Sequence, residues 1–147
     1  MIIQDIFENL IFPELKAYVE TNSKYTPLLT KKLPQESKVF PIVPVRLMPF
    51  ENRFNNLSYS EETYDFTIDI NIYSIDKTID ELKISKRTIC NEITEKIVEY
   101  FRENLKVKIK VETDVPNIDT NVHRNNVRIS GKLDTKYGEN KLVIYPN

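Results

Sequence analysis

The sequence predicts an α+β fold: a single, largely antiparallel sheet of about five strands with two helices packed on one face, in the order α-β-β-α-β-β-β. The strongest observation is the stretch from Thr63 to Tyr73, where apolar and polar residues alternate strictly, as in a strand with one buried face. Two other stretches, residues 3–20 and about 78–104, repeat apolar residues at spacings of three and four, which is typical of helices that cover a sheet. A chain of 147 residues is expected to form one domain, 1–147.

The composition argues against several classes of function. The net charge of −1 gives no overall bias toward nucleic acid or anionic lipid. The two glycines, Gly131 and Gly138, are too few for a glycine-rich phosphate loop. No apolar run approaches the roughly 20 residues of a membrane span, and no secretory signal is expected. The single cysteine, Cys90, precludes an internal disulfide and is interpreted as a small core residue in a reducing compartment.

The N-terminal part is predicted to contain one helix and one long connection. The helix covers residues 3–20, with a kink or break at Pro13, because proline lacks an N–H and clashes with the preceding turn. Residues 21–38 show no sustained period and carry two prolines, so they are predicted to form a loop. A loop of this length either contacts a partner or lies across the surface.

The middle of the chain is predicted to form a long hairpin. Its first strand runs from Ile42 to about Met48, and the prolines around it place it at a sheet edge, since proline cannot donate to the ladder. Its second strand is the alternating one, which ends near Ser74. The even-numbered residues of this strand are predicted to face the helices: Tyr64, Phe66, Ile68, Ile70 and Ile72. Residues 50–61 are predicted to form the hairpin tip, which carries Phe54, Leu57 and Tyr59.

The second half of the chain is predicted to contain a helix followed by three strands. Thr78 and Glu81 have the spacing of a capping box, so the helix is predicted to begin there and to run to about Asn104. Leu82 belongs to its apolar stripe. Alternation and turn residues then predict three strands: Lys106–Glu112, Val122–Leu133 and Lys141–Tyr145.

Asp65 and Asp69 share one face of the alternating strand. A catalytic pair would need environments that split the two pKa values, and a metal site would need further ligands, so neither role is favoured. Two interpretations stay open. The carboxylates belong to a solvated face and pair across strands with Lys106, Lys108 or Lys110, or they form an acidic surface used in assembly.

His123, Arg124 and Arg128 are the remaining candidates. His123 lacks partners at metal-ligand spacing, and a Ser-His-Asp arrangement with Ser130 lacks a nucleophile elbow, so no catalytic or metal role is predicted. Arg124 and Arg128 share one face of a predicted strand, with Lys132 beyond them, and form a short basic strip suited to an acidic neighbour. No cofactor is predicted.

Several segments carry a resemblance to a known family. They are the N-terminal helix, F-P-I-V-P-V-R-L, F-T-I-D-I-N-I-Y-S-I-D running into T-I-D-E-L-K-I-S-K-R-T-I-C-N-E-I, and V-P-N-I-D-T-N-V-H-R-N-N-V-R-I-S-G-K-L. In their order and local residue pattern, these segments resemble the tail terminator, or tail completion, proteins of tailed bacteriophages and related contractile particles. The resemblance covers most of residues 39–133 and includes no catalytic motif.

The resemblance implies a non-enzymatic protein of the virion tail, assembled in the cytoplasm of the host bacterium. It implies a homo-oligomeric ring, usually a hexamer, that caps the tail tube, ends tail elongation and provides the surface for joining the neck. The implied partners are further copies of the chain, the tail tube protein and a neck or head-completion protein. DNA would pass through the ring as cargo without tight binding, and no membrane is involved.

The candidate residues have expected roles in such an assembly, and the alternative for the hairpin tip is that its apolar residues fold back onto the protein's own sheet. Residues expected to contact partner proteins are Phe54, Leu57, Tyr59, Arg124 and Arg128. The pair Asp65 and Asp69 is expected to form an acidic strip that faces the channel. Two alternatives stay open: a head–tail neck adaptor, and a small cytoplasmic α+β enzyme or ligand-binding domain.

Overall fold

A computed structural model describes the backbone of residues 2–31, 39–48, 51–54, 61–136 and 141–146, and the side chains of residues 4–31, 39–48 and 65–132. Within these ranges the fold is α+β with a mostly antiparallel sheet, which confirms the predicted class. The helical segments are α1 (Ile2–Ile6), a π-helical turn (Phe7–Ile11), α2 (Phe12–Asn22) and α3 (Lys86–Asn104). The strands are β1 (Leu28–Thr30), β2 (Ile42–Leu47), β3 (Glu51–Phe54), β4 (Glu61–Ser74), β5 (Lys77–Ile79), β6 (Leu82–Ile84), β7 (Lys108–Glu112), β8 (His123–Lys136) and β9 (Lys141–Pro146).

Seven of the described strands form one sheet. The order across its main part is β1-β2-β4-β8-β7, while β3 pairs with β4 and β9 pairs with β8. The pairs are antiparallel except for β1 and β2, which run parallel. The remaining two strands, β5 and β6, form a separate antiparallel hairpin.

The pair of β4 and β8 is the longest feature of the sheet. Each strand has 14 residues, and the two stay in register from Glu61 opposite Lys136 to Ser74 opposite His123. Fourteen residues at about 3.3 Å each span roughly 45 Å, more than the ~30–35 Å expected across a domain of this length. One end of the pair is flanked by β2 and β7, and the other end by β3 and β9. We call the second part, β3-β4-β8-β9 over residues 61–65 and 131–136 of the long pair, the arm.

One face of the sheet packs against the helices. The inward side chains of β4 that the structure describes, Phe66, Ile68, Ile70 and Ile72, are at most 1% exposed, as predicted. Tyr64 lies outside the described side chains. The helices contribute to the same hydrophobic core through Leu15, Val19, Ile89, Ile93 and Ile97. Both helices therefore share one core with one side of the sheet.

The regular α-helical pattern is interrupted just before Pro13, where a kink or break was predicted, but the helical segment continues past it. The chain widens into a π-helical turn over Phe7–Ile11, and α2 begins at Phe12 with Pro13 in its first turn. Proline has no N–H, so the Asn9 carbonyl loses the donor that an α-helix would supply. In the wider turn the Phe12 N–H donates to the Phe7 carbonyl instead, which carries the chain past the proline without ending the helical segment.

The prediction that residues 21–38 form a structureless loop is wrong for their first part. Tyr25 and Leu29 are buried, and Leu28–Thr30 forms β1. Residues 32–38 lie outside the described range. Because β1 occupies the edge, the prediction that the strand from Ile42 lies at the edge is also wrong: β2 lies between β1 and β4. Its proline, Pro44, is tolerated because the pairing with β4 is interrupted there, between Ile42 and Val45.

The predicted start of the second helix at Thr78 is wrong. Residues 77–84 form the β5–β6 hairpin, and its two-residue turn has positive φ at Asp80 (52°) and Glu81 (68°). A type I′ turn needs positive φ at both positions. Glu81 therefore lies in the hairpin turn and not in the first turn of a helix, where a capping box would need it. Helix α3 instead begins at Lys86 after the N-cap Ser85, whose side chain accepts a hydrogen bond from the Thr88 N–H.

The hairpin tip predicted over residues 50–61 contains a strand. Its residues 51–54 form β3, which pairs with β4, so the backbone of Phe54 belongs to the arm. Leu57 and Tyr59 lie outside the described residues, as does the side chain of Phe54. The later strands occur in the predicted order with shifted bounds: β7 begins two residues later than predicted, and β8 continues to Lys136.

Candidate assembly surface

The sheet face opposite the helices carries a continuous set of polar and charged side chains, called here the open face. Residues that pair directly across strands share a face, so the strand register identifies its members. On β2, β4, β7 and β8, its polar and charged members whose side chains the structure describes are Arg46 of β2; Asp65, Thr67, Asp69, Asn71 and Tyr73 of β4; Arg124, Asn126, Arg128, Ser130 and Lys132 of β8; and Lys108, Lys110 and Glu112 of β7. Each of these residues is half-buried or exposed.

Asn126 organises the centre of the open face. Its Nδ2 donates to Asp69 Oδ1 and to Asn71 Oδ1, both at 3.0 Å, and to the Ile70 carbonyl at 3.2 Å. Asn71 Nδ2 in turn donates to Asp69 Oδ2 at 3.3 Å. These bonds fix the carboxylate and both amides within the chain, so this part of the surface is ordered in the isolated chain.

Arg124 and Arg128 flank Asn126 on β8. Arg128 forms an ion pair with Asp69, with 3.3 Å between Nη2 and Oδ1, and its side chain stays half exposed. Arg124 Nε donates to Asn71 Oδ1 at 3.0 Å, and its guanidinium carbon lies 5.7 Å from the centre of the Tyr73 ring. The basic strip predicted from the sequence therefore exists, and its guanidinium groups are held in place by neighbours on β4.

The described part of the open face is basic. Its described side chains include six basic and three acidic groups, a net charge of +3 in a chain whose total is −1. Asp69 pairs with Arg128 of β8, not with a lysine of β7, and Asp65 lies opposite Lys132. Lys110 contacts Glu112 on its own strand. Asp65 and Asp69 thus lie within a positively charged surface, and their role in a channel stays a prediction.

A buried polar network lies on the other side of β8, facing the helices. Asn125 is fully buried, and both the nitrogen and the oxygen of its side-chain amide have hydrogen-bond partners. Its Nδ2 donates to Asn91 Oδ1 at 3.0 Å and to Thr94 Oγ1 at 3.1 Å. Its Oδ1 accepts from the Asp114 N–H at 3.0 Å and lies 3.0 Å from His123 Nε2, which is therefore the protonated nitrogen. The network joins α3, β8 and the loop that follows β7.

His123 has a structural position in this network. Its Nδ1 lies 3.6 Å from the exposed carboxylate of Asp114, which also contacts Arg87 at 3.5 Å. These residues border a groove of about 600 Å³ at the N-terminal end of α3. At its rim, Asp76 accepts from the Lys86 N–H at 2.8 Å. Among the described residues, no three His, Cys, Asp or Glu side chains are placed to share a metal ion.

Cys90 is a core residue, as predicted. It is fully buried, and its Sγ lies 3.6 Å from the Ile72 carbonyl oxygen and 3.5 Å from that of His123. Burial raises the pKa of this thiol to about 12. The thiol therefore stays protonated at neutral pH, and a protonated buried thiol is a poor nucleophile.

The helices carry the opposite charge to the open face. Their segments contain eight acidic and five basic residues, a net charge of −3. We call this surface the helix layer. Three of its carboxylates accept hydrogen bonds from tyrosine hydroxyls: Glu99 from Tyr18 at 2.9 Å, Glu14 from Tyr100 at 2.9 Å, and Glu92 from Tyr25. Burial, together with Glu92, raises the pKa of Tyr25 to about 12, so its hydroxyl keeps the donated proton at neutral pH.

Comparison with known proteins does not place the chain in a family. No family model matches it, and no curated protein matches it. In the ranges that the structure describes, helices long and apolar enough to cross a membrane are absent. The arm, the open face and the helix layer are thus the features from which a function can be inferred.

Proposed function

We propose that the protein is a non-enzymatic assembly protein that forms a ring, caps a phage tail tube, ends tail elongation and offers the surface for joining the neck. The proposal combines the family resemblance of the sequence with the arm. In this assembly the chain contacts its own copies, the tail tube protein and a neck protein, and DNA passes as cargo.

The arm is the observation that carries the proposal. It continues the two central strands beyond the part of the sheet that β2 and β7 flank, and it adds β3 and β9 on either side. Among the described strands, β3 pairs only with β4 and β9 only with β8, so each presents an outer edge. An edge strand offers a row of backbone donors and acceptors to another chain. In the proposed cap, these edges would accept backbone hydrogen bonds from the last ring of the tube.

Mass and shape in solution test the ring. Light scattering coupled to size exclusion is expected to give a mass of several chains of 17.4 kDa, and negative-stain images are expected to show closed rings with a central opening. Rings added to tubes of the tail tube protein are expected to bind at tube ends and to stop growth. Binding to the portal side instead would reassign the protein to the head–tail neck. A monomer that leaves tube growth unchanged would contradict the proposal.

The hairpin that includes Phe54 and Tyr59 is expected to contact the tube or a neighbouring copy. Aromatic anchors at interface hot spots typically cost about 2 kcal/mol or more of binding free energy when removed. The double substitution Phe54→Ser and Tyr59→Ser is therefore expected to leave the melting temperature nearly unchanged and to abolish capping, which gives overlong tubes.

The matched control replaces two exposed apolar residues outside the arm, Leu82→Ser and Ile118→Ser. Their exposed fractions are 70% and 103%, so they contribute little burial to the fold. This control is expected to cap normally. A large fall in the melting temperature of F54S/Y59S would show that the hairpin tip belongs to the core, and normal tube lengths would show that it does nothing in assembly.

A further inference from the structure

The two broad surfaces of the chain carry opposite charges, and this asymmetry points to how copies meet. We propose that the ring is built by a head-to-tail contact in which the open face of one copy covers the helix layer of the next. The inference rests on the proposed ring and adds the two surfaces that form it, and it replaces the expectation that Asp65 and Asp69 line the channel.

Charge complementarity identifies a second copy as the occupant of the open face. The described part of that face has a net charge of +3, and the helix layer has −3. The two surfaces lie on opposite sides of one two-layer fold, so a copy that uses one of them leaves the other free. A contact between unlike surfaces is heterologous, and its repetition closes into a ring when the rotation permits. Two open faces meeting each other would bring equal positive charges together.

The open face is built to receive a protein surface of mixed sign. The Asn126 network already holds its centre, so few side chains need to be ordered on binding. The side chains of Arg128 and Lys110 are 51% and 74% exposed, so both remain accessible to carboxylates of another chain. On the helix layer, Glu95 and Glu103 are exposed.

Nucleic acid is a poorer occupant of the same face. A phosphate backbone presents only negative charge, and affinity for it comes from uniformly basic contacts. The open face instead places Asp69 at its centre, beside Glu112 and Arg128 in one shallow depression. A helix layer that mixes Glu95 and Glu103 with Lys96 and Arg102 matches this alternation of signs better than a phosphate chain does.

A charge swap tests the contact. The sheet variant carries Lys110→Glu and Arg128→Glu, which changes the charge of the open face from +3 to −1. The helix variant carries Glu95→Lys and Glu103→Lys, which changes the helix layer from −3 to +1. The control carries Lys83→Glu and Lys106→Glu, which matches the charge change of the sheet variant at exposed positions outside the residues that define the two surfaces. Thermal unfolding of each variant reports whether it folds.

The expected result is loss of assembly in each interface variant and recovery in their mixture. Like charges then oppose each other in either variant alone, which weakens association on the order of 100-fold. In an equimolar mixture, the open face of the helix variant (+3) contacts the helix layer of the sheet variant (−3). The open face of the sheet variant (−1) contacts the helix layer of the helix variant (+1). Light scattering is therefore expected to show the mass of the ring again. The control is expected to assemble like the unchanged chain. The unchanged ring is expected to dissociate as salt rises toward 1 M, where the screening length is about 3 Å.

Three outcomes would overturn the inference. Rings that persist in both interface variants would show that these faces do not meet, while the proposed ring would stand. If the mass of the unchanged ring does not fall as salt rises, this would also show that these faces do not meet, and no variant is needed for that test. Submicromolar binding of labelled duplex DNA at about 150 mM salt, lost in the sheet variant, would assign the open face to nucleic acid. A chain that remains monomeric under all conditions would instead remove the proposed function itself.

Discussion

Replacing Ile68 with alanine is expected to lower the free energy of unfolding by about 2–5 kcal/mol. Ile68 is fully buried at the centre of β4, with Leu47 opposite it on β2 and Ile129 opposite it on β8. Strands on both sides and helices above prevent the site from collapsing, so the deleted methylene and methyl groups leave a cavity. Urea unfolding followed by circular dichroism measures the change.

Ile118→Ala is the matched control for this experiment. The same atoms are removed, but Ile118 is fully exposed, so the change is expected to stay within about 0.5 kcal/mol. A loss below about 1 kcal/mol for Ile68→Ala would mean that the inward face of β4 is assigned to the wrong side. The contrast between the two variants therefore tests the layering of the whole fold.

Replacing Asn125 with leucine is expected to cost about 3 kcal/mol or more, although the two side chains are similar in size. Asn125 is fully buried, and its side chain forms hydrogen bonds with Asn91, Thr94, His123 and the Asp114 N–H. Each buried polar group left without a partner costs about 1–3 kcal/mol, and leucine offers none of the lost donors or acceptors.

The exposed Asn121 provides the control for this second experiment. Asn121→Leu makes the same chemical change at the surface, where water replaces lost partners, and is expected to shift stability by no more than about 0.5 kcal/mol. Denaturant unfolding of both variants gives the comparison. A cost below about 1 kcal/mol for Asn125→Leu would indicate that water or a repacked side chain satisfies the network.

The sequence predicts the sheet well where burial decides the structure. Strict alternation identified β4 and its inward face, because a one-residue slip would move every apolar side chain into water. The same reasoning located β7, β8 and β9 to within a few residues. It failed for β1, since three residues beside prolines carry too little periodicity to distinguish a strand from a loop.

The start of α3 shows a different limit of sequence reasoning. Thr78 and Glu81 have capping-box spacing, but Asp80 and Glu81 form a tight turn with positive φ, which glutamate adopts only rarely, and Ser85 suits an N-cap. Local patterns alone do not rank these options. The pairing of Ile79 with Leu82 in a separate hairpin decides between them.

The candidate surface was only partly predictable. Arg124 and Arg128 were identified because they repeat on one strand face. Their partners Asn71 and Asn126 were not identified, because an asparagine on a strand face follows no characteristic sequence pattern. Only the register of β4 with β8 shows that these two side chains lie next to each other. The buried Asn125 was missed because a polar residue at an inward position looks like a break in the alternation.

The unbroken register of β4 with β8 also sets how the chain resists pulling. Positions 74 and 136 lie at diagonal corners of the two strands, whereas positions 61 and 136 lie side by side. Force between 74 and 136 loads all the cross-strand hydrogen bonds together in shear, and force between 61 and 136 opens them one after another, like a zipper. Single-molecule pulling is expected to need clearly higher force along the diagonal, and equal forces would contradict a continuous ladder. In the proposed tail assembly, a load along the strands would therefore meet more resistance from this protein than a load across them.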